Sequence, residues 1–161
     1  MSVRHATEDD FETLRGLWER WQSETPAAPS WADTSWEANE PELRRALDAN
    51  GLFLAEEGGE PVGFVSSWLE EHHGRIGDLY VAEPGRRHGT GSALVETAVE
   101  NLRARGATHL FVDAGTDALG FYERLGFRER SRRLVLPLEV RASDGRFRNT
   151  SRHPSRRDTL P

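Results

Sequence analysis

A glycine-containing turn between a strand and a helix is the feature of this sequence that most constrains its fold. The turn, Arg86-Arg87-His88-Gly89-Thr90-Gly91, follows an apolar run at residues 76–81 that predicts a strand. After it, residues 92–105 repeat apolar side chains at helical spacing. The first-turn amides of a helix attract anions, and glycine lets the backbone approach them closely. The turn therefore predicts a phosphate-binding site, to which Arg86 and Arg87 add positive charge.

Two residue types are missing, and their absence excludes several kinds of chemistry. All 21 basic residues are arginine, and the sequence contains neither lysine nor cysteine. Without lysine, the turn is not the P-loop of an NTPase, and no Schiff base can form. Without cysteine, disulfides, thiolate metal sites and a cysteine nucleophile are excluded. An acyl group would have to move directly to its acceptor or through another nucleophile.

Charge is distributed unevenly along the chain. Residues 1–80 carry a net charge of −11, whereas residues 81–161 carry +5. The first half suits a cationic partner and the second suits an anion, while the acidic total argues against nucleic acid. The sequence has no long apolar run and no leader. We therefore expect a cytoplasmic protein without a membrane span.

Hydrophobic periodicity predicts an α/β domain. The predicted order is strand, two helices, three strands, helix, strand, helix and one or two final strands. The corresponding ranges are 3–6, 7–21, 41–49, 52–56, 61–69, 76–81, 92–105, 108–112, 118–125 and 127–138. Residues 22–40 predict an irregular loop, and Pro41 predicts the start of the second helix. This order implies a mixed sheet with helices on both faces.

The apolar pattern fades near the end of the chain, which predicts a domain boundary. Residues 1–138 contain all the periodic segments, and residues 139–161 are rich in arginine with few large apolar side chains. We expect residues 139–161 to form an extension that is mobile or draped over the surface.

Two segments resemble motifs of the GNAT superfamily of N-acetyltransferases. Arg86-x-x-Gly89-x-Gly91 is similar to the pyrophosphate loop of that family. Residues 118–127, Ala-Leu-Gly-Phe-Tyr-Glu-Arg-Leu-Gly-Phe, are similar to its Ala-x-x-Phe-Tyr-Glu-Arg/Lys-Leu-Gly-Phe segment. The element order agrees from about residue 3 to residue 138. The resemblance implies a GNAT fold with a mixed central sheet of six to seven strands.

The resemblance also implies acetyl-CoA as co-substrate. In the family, the strand before the turn bulges and separates from its neighbour, so that its backbone pairs with the pantetheine arm and polarises the thioester carbonyl. The turn holds the pyrophosphate through main-chain amides. Thr90 stands where an aliphatic residue is usual. The implied cofactor-binding residues are Leu79, Tyr80, Val81, Arg86, Arg87, His88, Gly89, Thr90, Gly91, Ser92 and Tyr122.

For catalysis, the resemblance implies that Tyr122 protonates the leaving thiolate. Asp78, on the strand that leads into the bulge, and Asp113, at the end of the adjacent strand, are candidate general bases. A solvated or structural role is the alternative for each carboxylate. Ordered water, or His72 and His73, could accept the proton instead. No third ligand accompanies this histidine pair at a metal-binding spacing, so no metal is predicted.

The acceptor is predicted from the aromatic and acidic loop between the first two helices. Members of the family commonly cover the acceptor with this region, which here carries Trp31, Asp33, Trp36 and Glu37. Indole faces and carboxylates together attract an ammonium group. The alternative is that the tryptophans only pack the loop onto the core.

These observations predict an acyl-CoA-dependent N-acyltransferase that acetylates a primary amine of a small cationic acceptor. Two alternatives stay open: a non-catalytic acyl-CoA-binding or sensing domain, and an enzyme that acetylates the N-terminus of a protein or peptide. Members of the family often dimerise, which leaves a homodimer open, although no residue of the sequence shows an interface.

Overall fold

The computed structural model describes residues 1–25 and 32–131, and it contains one five-stranded sheet. Strands β1 to β4 pair antiparallel in chain order, and β5 lies parallel to β4 at the edge. Residues 1–129 form one compact unit. The strands are β1 Ser2–His5, β2 Leu52–Glu57, β3 Glu60–Glu70, β4 His73–Val81 and β5 His109–Val112, and the helices are α1 Phe11–Glu24, α2 Trp36–Asp48, α3 Thr90–Ala104 and α4 Leu119–Arg124.

The predicted order of elements is confirmed up to α4, and the mixed sheet with helices on both faces is confirmed as well. The count of six to seven strands exceeds the five found in the described residues. Residues 127–131, where the final strand was predicted to start, are not in a strand. The rest of that prediction, residues 132–138, and the predicted extension at 139–161 lie outside the described residues.

Two hydrophobic clusters cover the two faces of the sheet. On one face, α1 and α2 pack through Leu14, Trp18 and Leu43 against side chains of the strands that include Phe64 and Tyr80. On the other face, α3 and α4 pack against the sheet, and their buried residues include Leu94, Val95, Ala98 and Tyr122. Burial of these large apolar side chains holds the helices in place.

A loop joins the first two helices as predicted, but its predicted bounds of 22–40 and the predicted helix start at Pro41 are wrong. Helix α1 runs to Glu24, and α2 begins at Trp36, with Pro41 inside the helix. The Ser35 hydroxyl accepts a hydrogen bond from the Ala38 amide at 3.3 Å and so caps the helix. The Trp36 ring is buried beside the Trp18 ring, 6.3 Å away. The cap and the burial of Trp36 stabilise the helix by more than the missing backbone amide of Pro41 destabilises it.

Short turns bracket β3, in the gaps between the predicted strands. The first is a hairpin through Gly58 and Gly59, whose φ angles are positive at 62° and 89°. The second lies at Glu71–His72, and Glu71 takes the positive φ of 52°. His73 and Gly74 belong to β4. In the described part of the chain, no helix is long and apolar enough to cross a membrane.

Candidate active site at the end of strand β4

Strand β4 contains a bulge opposite Ser66. Val65 pairs with Leu79 and Ser67 pairs with Ile76, so β4 has one residue more than β3 between these pairs. The Ser66 hydroxyl accepts a hydrogen bond from the Asp78 backbone amide at 2.8 Å and donates a weaker one to the Asp78 carboxylate at 3.4 Å. The Ser66 side chain thus replaces the backbone partner that the Asp78 amide lacks, and it holds Asp78 at the bulge.

Beyond the bulge, β4 separates from β5. The parallel ladder covers only His73–Ile76 of β4 and His109–Val112 of β5. The Ala82 amide donates to the Val62 carbonyl at 2.8 Å, which makes these two residues a hydrogen-bonded antiparallel pair. The direction of backbone hydrogen bonding alternates along a strand, so the amides and carbonyls of Leu79 and Val81 point away from β3. They face the gap that opens where β4 is no longer paired with β5.

The charge of Asp78, beside this gap, acts on Tyr122. Asp78 is half-buried; burial and the nearby charge of Glu42 raise its pKa, whereas the Ser66 hydrogen bond lowers it. Tyr122 comes from α4 and packs against Phe121 and Phe127, with ring centroids 5.0 and 5.3 Å away. Burial and the charge of Asp78 raise the pKa of Tyr122 to about 12. The Tyr122 hydroxyl donates no hydrogen bond to any described residue.

The glycine turn presents the start of α3 beside the gap. Gly89 has a φ of 83° and precedes the first helical residue, Thr90. No side chain caps this end, so the amides of the first turn are available to an anion. A Cβ built at Gly89 meets no atom within 4 Å, which shows open space above the turn.

The two arginines of the turn differ in their surroundings. The Arg86 Nε donates to the Val81 carbonyl at 2.7 Å, and its guanidinium is ion-paired with Glu24 at the end of α1. Glu24 also accepts a hydrogen bond from the Tyr80 hydroxyl at 3.0 Å; burial and this bond raise the pKa of Tyr80 to about 12. Arg87, in contrast, is exposed and has no hydrogen bond or ion pair within the described chain.

Thr90 has a polar partner that explains its place in the core. Its side chain is buried and donates a hydrogen bond to the Glu57 carboxylate at 3.1 Å. His88 lies 3.9 Å from the same carboxylate. An aliphatic residue at position 90 would leave Glu57 without this donor. Threonine at position 90, where the family usually has an aliphatic residue, is therefore explained by its hydrogen bond to Glu57 at the end of β2.

The other candidate bases lie in different environments from Asp78. Asp113 follows β5, is 52% exposed, and forms an ion pair with Arg75 at 2.9 Å. His72 and His73 are exposed, and the His73 ring lies 6.1 Å from the His109 ring, at the opposite end of β4 from Val81. The part of the chain described here holds no cluster of residues suited to a metal ion.

The predicted acceptor residues do not come together. Trp31 lies outside the described residues. Trp36 is buried in the core, and Asp33 accepts a hydrogen bond from the Ser35 amide at 2.9 Å next to the start of α2; hydrogen bonds from Ser35 lower the pKa of Asp33. Glu37 is exposed and lies 3.9 Å from Arg15. Their roles toward an acceptor stay predictions.

A cavity between α2 and β3 lies on the same face of the sheet as Asp78, and sequence reasoning missed it. We call it the α2–β3 cavity; its volume is about 340 Å³ and its lining comprises Glu42, Arg45, Ala46, Trp68 and Glu70. The signal was present in the sequence. Ser66, Trp68 and Glu70 alternate along β3, which places them on one face. Glu42, Arg45 and Ala46 follow i, i+3, i+4 spacing on one face of α2.

Comparisons with known proteins identify the family and the fold. The pattern of the Acetyltransferase (GNAT) family matches residues 11–127. An acetyltransferase of Pectobacterium atrosepticum is 33% identical over 132 residues, which are 79% of this chain and 87% of that protein. The crystal structure of an acetyltransferase of Trypanosoma brucei superposes with a TM-score of 0.62 and 28% identity, covering 85% of this chain and 99% of that one.

An aminoglycoside acetyltransferase from an uncultured soil metagenomic sample is also similar in structure. Its TM-score is 0.60 at 26% identity, with 86% of this chain and 98% of that chain covered. The family match includes the strand, turn and helix that form the candidate site.

Proposed function

Because this chain belongs to the Acetyltransferase (GNAT) family, we propose that it transfers an acetyl group directly from acetyl-CoA to a primary amine of a small cationic acceptor. Family membership makes the chain an N-acetyltransferase. The donor, the class of acceptor and the roles of individual residues are what we propose. The observation that carries the proposal is the effect of the Asp78 charge on Tyr122, beside the point where β4 separates from β5.

The chain offers suitable groups for each part of acetyl-CoA. Leu79 and Val81 supply backbone donors and acceptors to the pantetheine arm. The first-turn amides of α3 and the open space at Gly89 suit the pyrophosphate. Arg87 adds a positive charge with no internal partner in the described chain. A backbone amide of β4 would stabilise the oxyanion that develops on the thioester carbonyl.

Asp78 and Tyr122 divide the proton transfers between them. The neutral amine attacks the carbonyl carbon, and a C–N bond forms while the C–S bond breaks. The nitrogen becomes positively charged on attack, and Asp78 accepts its proton; Tyr122 donates a proton to the departing sulfur. Protonation of Asp78 removes a charge that raises the pKa of Tyr122, so the base makes the acid stronger during the reaction. A final transfer from Asp78 to Tyr122 restores both groups.

Several observations favour Asp78 over Asp113 as the base. Asp78 is half-buried and its charge raises the pKa of Tyr122, whereas Asp113 is exposed and ion-paired with Arg75. A base works best with a pKa that lies near the operating pH, and burial moves the pKa of Asp78 in that direction.

The net negative charge of residues 1–80 supports a cationic acceptor. The aminoglycoside acetyltransferase with a similar structure acts on an amine-bearing compound, which also supports this class.

The test compares Tyr122→Phe and Asp78→Asn with the exposed variant Asp9→Asn. We expect each site variant to lower the turnover of acetyl-CoA with a primary amine by on the order of 10²-fold or more, with little change in affinity for CoA. Asp9→Asn should match the parent protein. Single-turnover thiol release and calorimetric CoA binding measure the two quantities.

Two outcomes would contradict the proposal. If CoA binds but no amine accelerates thiol release, the chain is a sensor of acyl-CoA rather than an enzyme acting on amines. If the chemical step is unchanged in Tyr122→Phe, the hydroxyl is not the acid.

A further inference from the structure

The lining of the α2–β3 cavity combines an aromatic surface with two carboxylates. Trp68 lies on β3, and its indole N–H donates to the Glu70 carboxylate at 2.9 Å. Glu42 lies across the cavity on α2 and is paired with Arg45 at 3.1 Å. The lining thus carries two negative charges and one positive charge. Glu42 is ion-paired with Arg45, whereas Glu70 has no ion pair among the described residues, so the Glu70 carboxylate is the negative group open to a cationic ligand.

The cavity adjoins the bulge that holds Asp78. A Cβ built at Gly77 would lie 2.5 Å from the Trp68 ring, so the indole rests directly on the backbone of the bulge. Glu42, on the opposite wall, is close enough to Asp78 for its charge to act on that carboxylate. A ligand that reaches from Asp78 into the cavity would cross the Trp68 ring.

The spacing along β3 sets the length of ligand that fits. Ser66, which bonds Asp78, and Glu70 are four residues apart on one face of the strand, a span of about 13 Å. Trp68 lies midway and offers a flat apolar surface to a methylene chain. An ammonium group at the far end would pair with Glu70 and lie near the indole, which attracts cations.

We propose that the α2–β3 cavity selects acceptors with two amines, the first acetylated beside Asp78 and the second bound as an ammonium by Glu70 over Trp68. The inference rests on the proposed function and names its acceptor class as linear diamines or polyamines with an end-to-end span of roughly 10 Å or more.

The experiment measures kcat/KM for acetylation of primary monoamines and of α,ω-diamines of equal chain length, from three to ten methylenes. In the parent protein we expect long diamines to exceed the matched monoamines by about tenfold, the effect of one charge-assisted contact. Glu70→Gln should remove most of this advantage by lowering kcat/KM for the diamines. Arg45→Gln should increase the advantage, because it frees Glu42 for the ligand.

Glu100→Gln on α3 is the matched control, since it removes one exposed carboxylate on the other face of the sheet. It should leave both acceptor series unchanged. The gain expected for Arg45→Gln keeps the test decisive if Glu70→Gln fails to fold, because a misfolded protein does not gain selectivity.

Equal kcat/KM for monoamines and diamines in the parent protein would overturn the inference while leaving the proposed acetyl transfer intact. The same holds if the diamine advantage persists in Glu70→Gln or fails to increase in Arg45→Gln. Absence of thiol release with every amine would overturn both the inference and the proposed function.

Discussion

At the scale of single residues, Asp78 and Tyr122 influence each other across the gap between β4 and β5. The carboxylate raises the pKa of the phenol, and burial raises the pKa of both groups. Tyr122 is therefore fully protonated at neutral pH, as an acid must be before the reaction. Asp78 keeps its charge only above a pKa that is higher than that of an ordinary aspartate.

The pH dependence of acetyl transfer to a monoamine should report these pKa shifts. In the mechanism that we propose, Asp78 acts as a base only when ionised, so its pKa should set the acid limb of kcat/KM after correction for ionisation of the amine. Glu42→Gln removes a charge that raises this pKa and should move the limb to lower pH. Ser66→Ala removes a bond that lowers it and should move the limb to higher pH. Shifts in the same direction for both variants would contradict the assignment.

Sequence reasoning found some of these residues and missed others for a physical reason. Asp78 and Tyr122 lie in or beside motifs that are contiguous in the chain, so they could be named before the structure. Glu42, Trp68 and Glu70 come from two elements that meet only in the folded protein, and neither element carries a motif. Trp36 was predicted near the acceptor, but an aromatic ring between two helices is equally suited to a core, where the structure places it.

At the scale of elements, local signals predicted every helix and strand up to α4, and the errors lie at the boundaries. The start of α2 was missed because Pro41 is a local signal for a helix start, whereas burial of Trp36 against α1 is a tertiary effect. The bulge in β4 was expected only from the family resemblance. The bulge is stabilised by the Ser66 hydroxyl on the neighbouring strand. The periodicity of one strand does not reveal a hydrogen bond to another.

The turn before α3 leads to a prediction that separates its two arginines. Arg87 has no partner in the described chain, so Arg87→Gln should weaken CoA binding roughly tenfold, with a smaller effect at high salt. Arg86 joins Glu24 to the Val81 carbonyl. Arg86→Gln should therefore lower the free energy of unfolding by about 1 kcal/mol and change CoA affinity less. Calorimetric titration at two salt concentrations and urea unfolding test this, and an equal, salt-dependent loss of affinity would contradict it.

At the scale of the whole molecule, one ion network ties the first strand to the rest of the domain. Arg4 of β1 binds Asp10, before α1, with contacts of 2.8 Å to both carboxylate oxygens, and reaches Glu56 of β2 at 2.8 Å. Asp10 also accepts a hydrogen bond from the Thr7 amide at 2.7 Å. Hydrogen bonds from Arg4 hold the pKa of Asp10 well below its usual range, despite burial.

This network predicts how stability depends on pH. Asp10 has a lower pKa in the folded than in the unfolded state, so its contribution is present above pH ~4 and is lost as the pH falls toward its folded pKa. Asp10→Asn should lower the free energy of unfolding at pH 7 by about 1–3 kcal/mol. The difference between parent and variant should shrink on acidification below pH ~4. Urea unfolding at several pH values measures this, and a difference independent of pH would point to packing instead.

The bond from Arg86 to the Val81 carbonyl has a consequence for the thermodynamics of ligand exchange. In the ligand-free protein, a backbone acceptor that faces the gap already has an internal donor. A pantetheine amide that takes this carbonyl replaces one hydrogen bond by another of similar strength, so the net gain in free energy there is small. If the donor is acetyl-CoA, as we propose, we expect pairing at this carbonyl to align the thioester more than it adds to affinity.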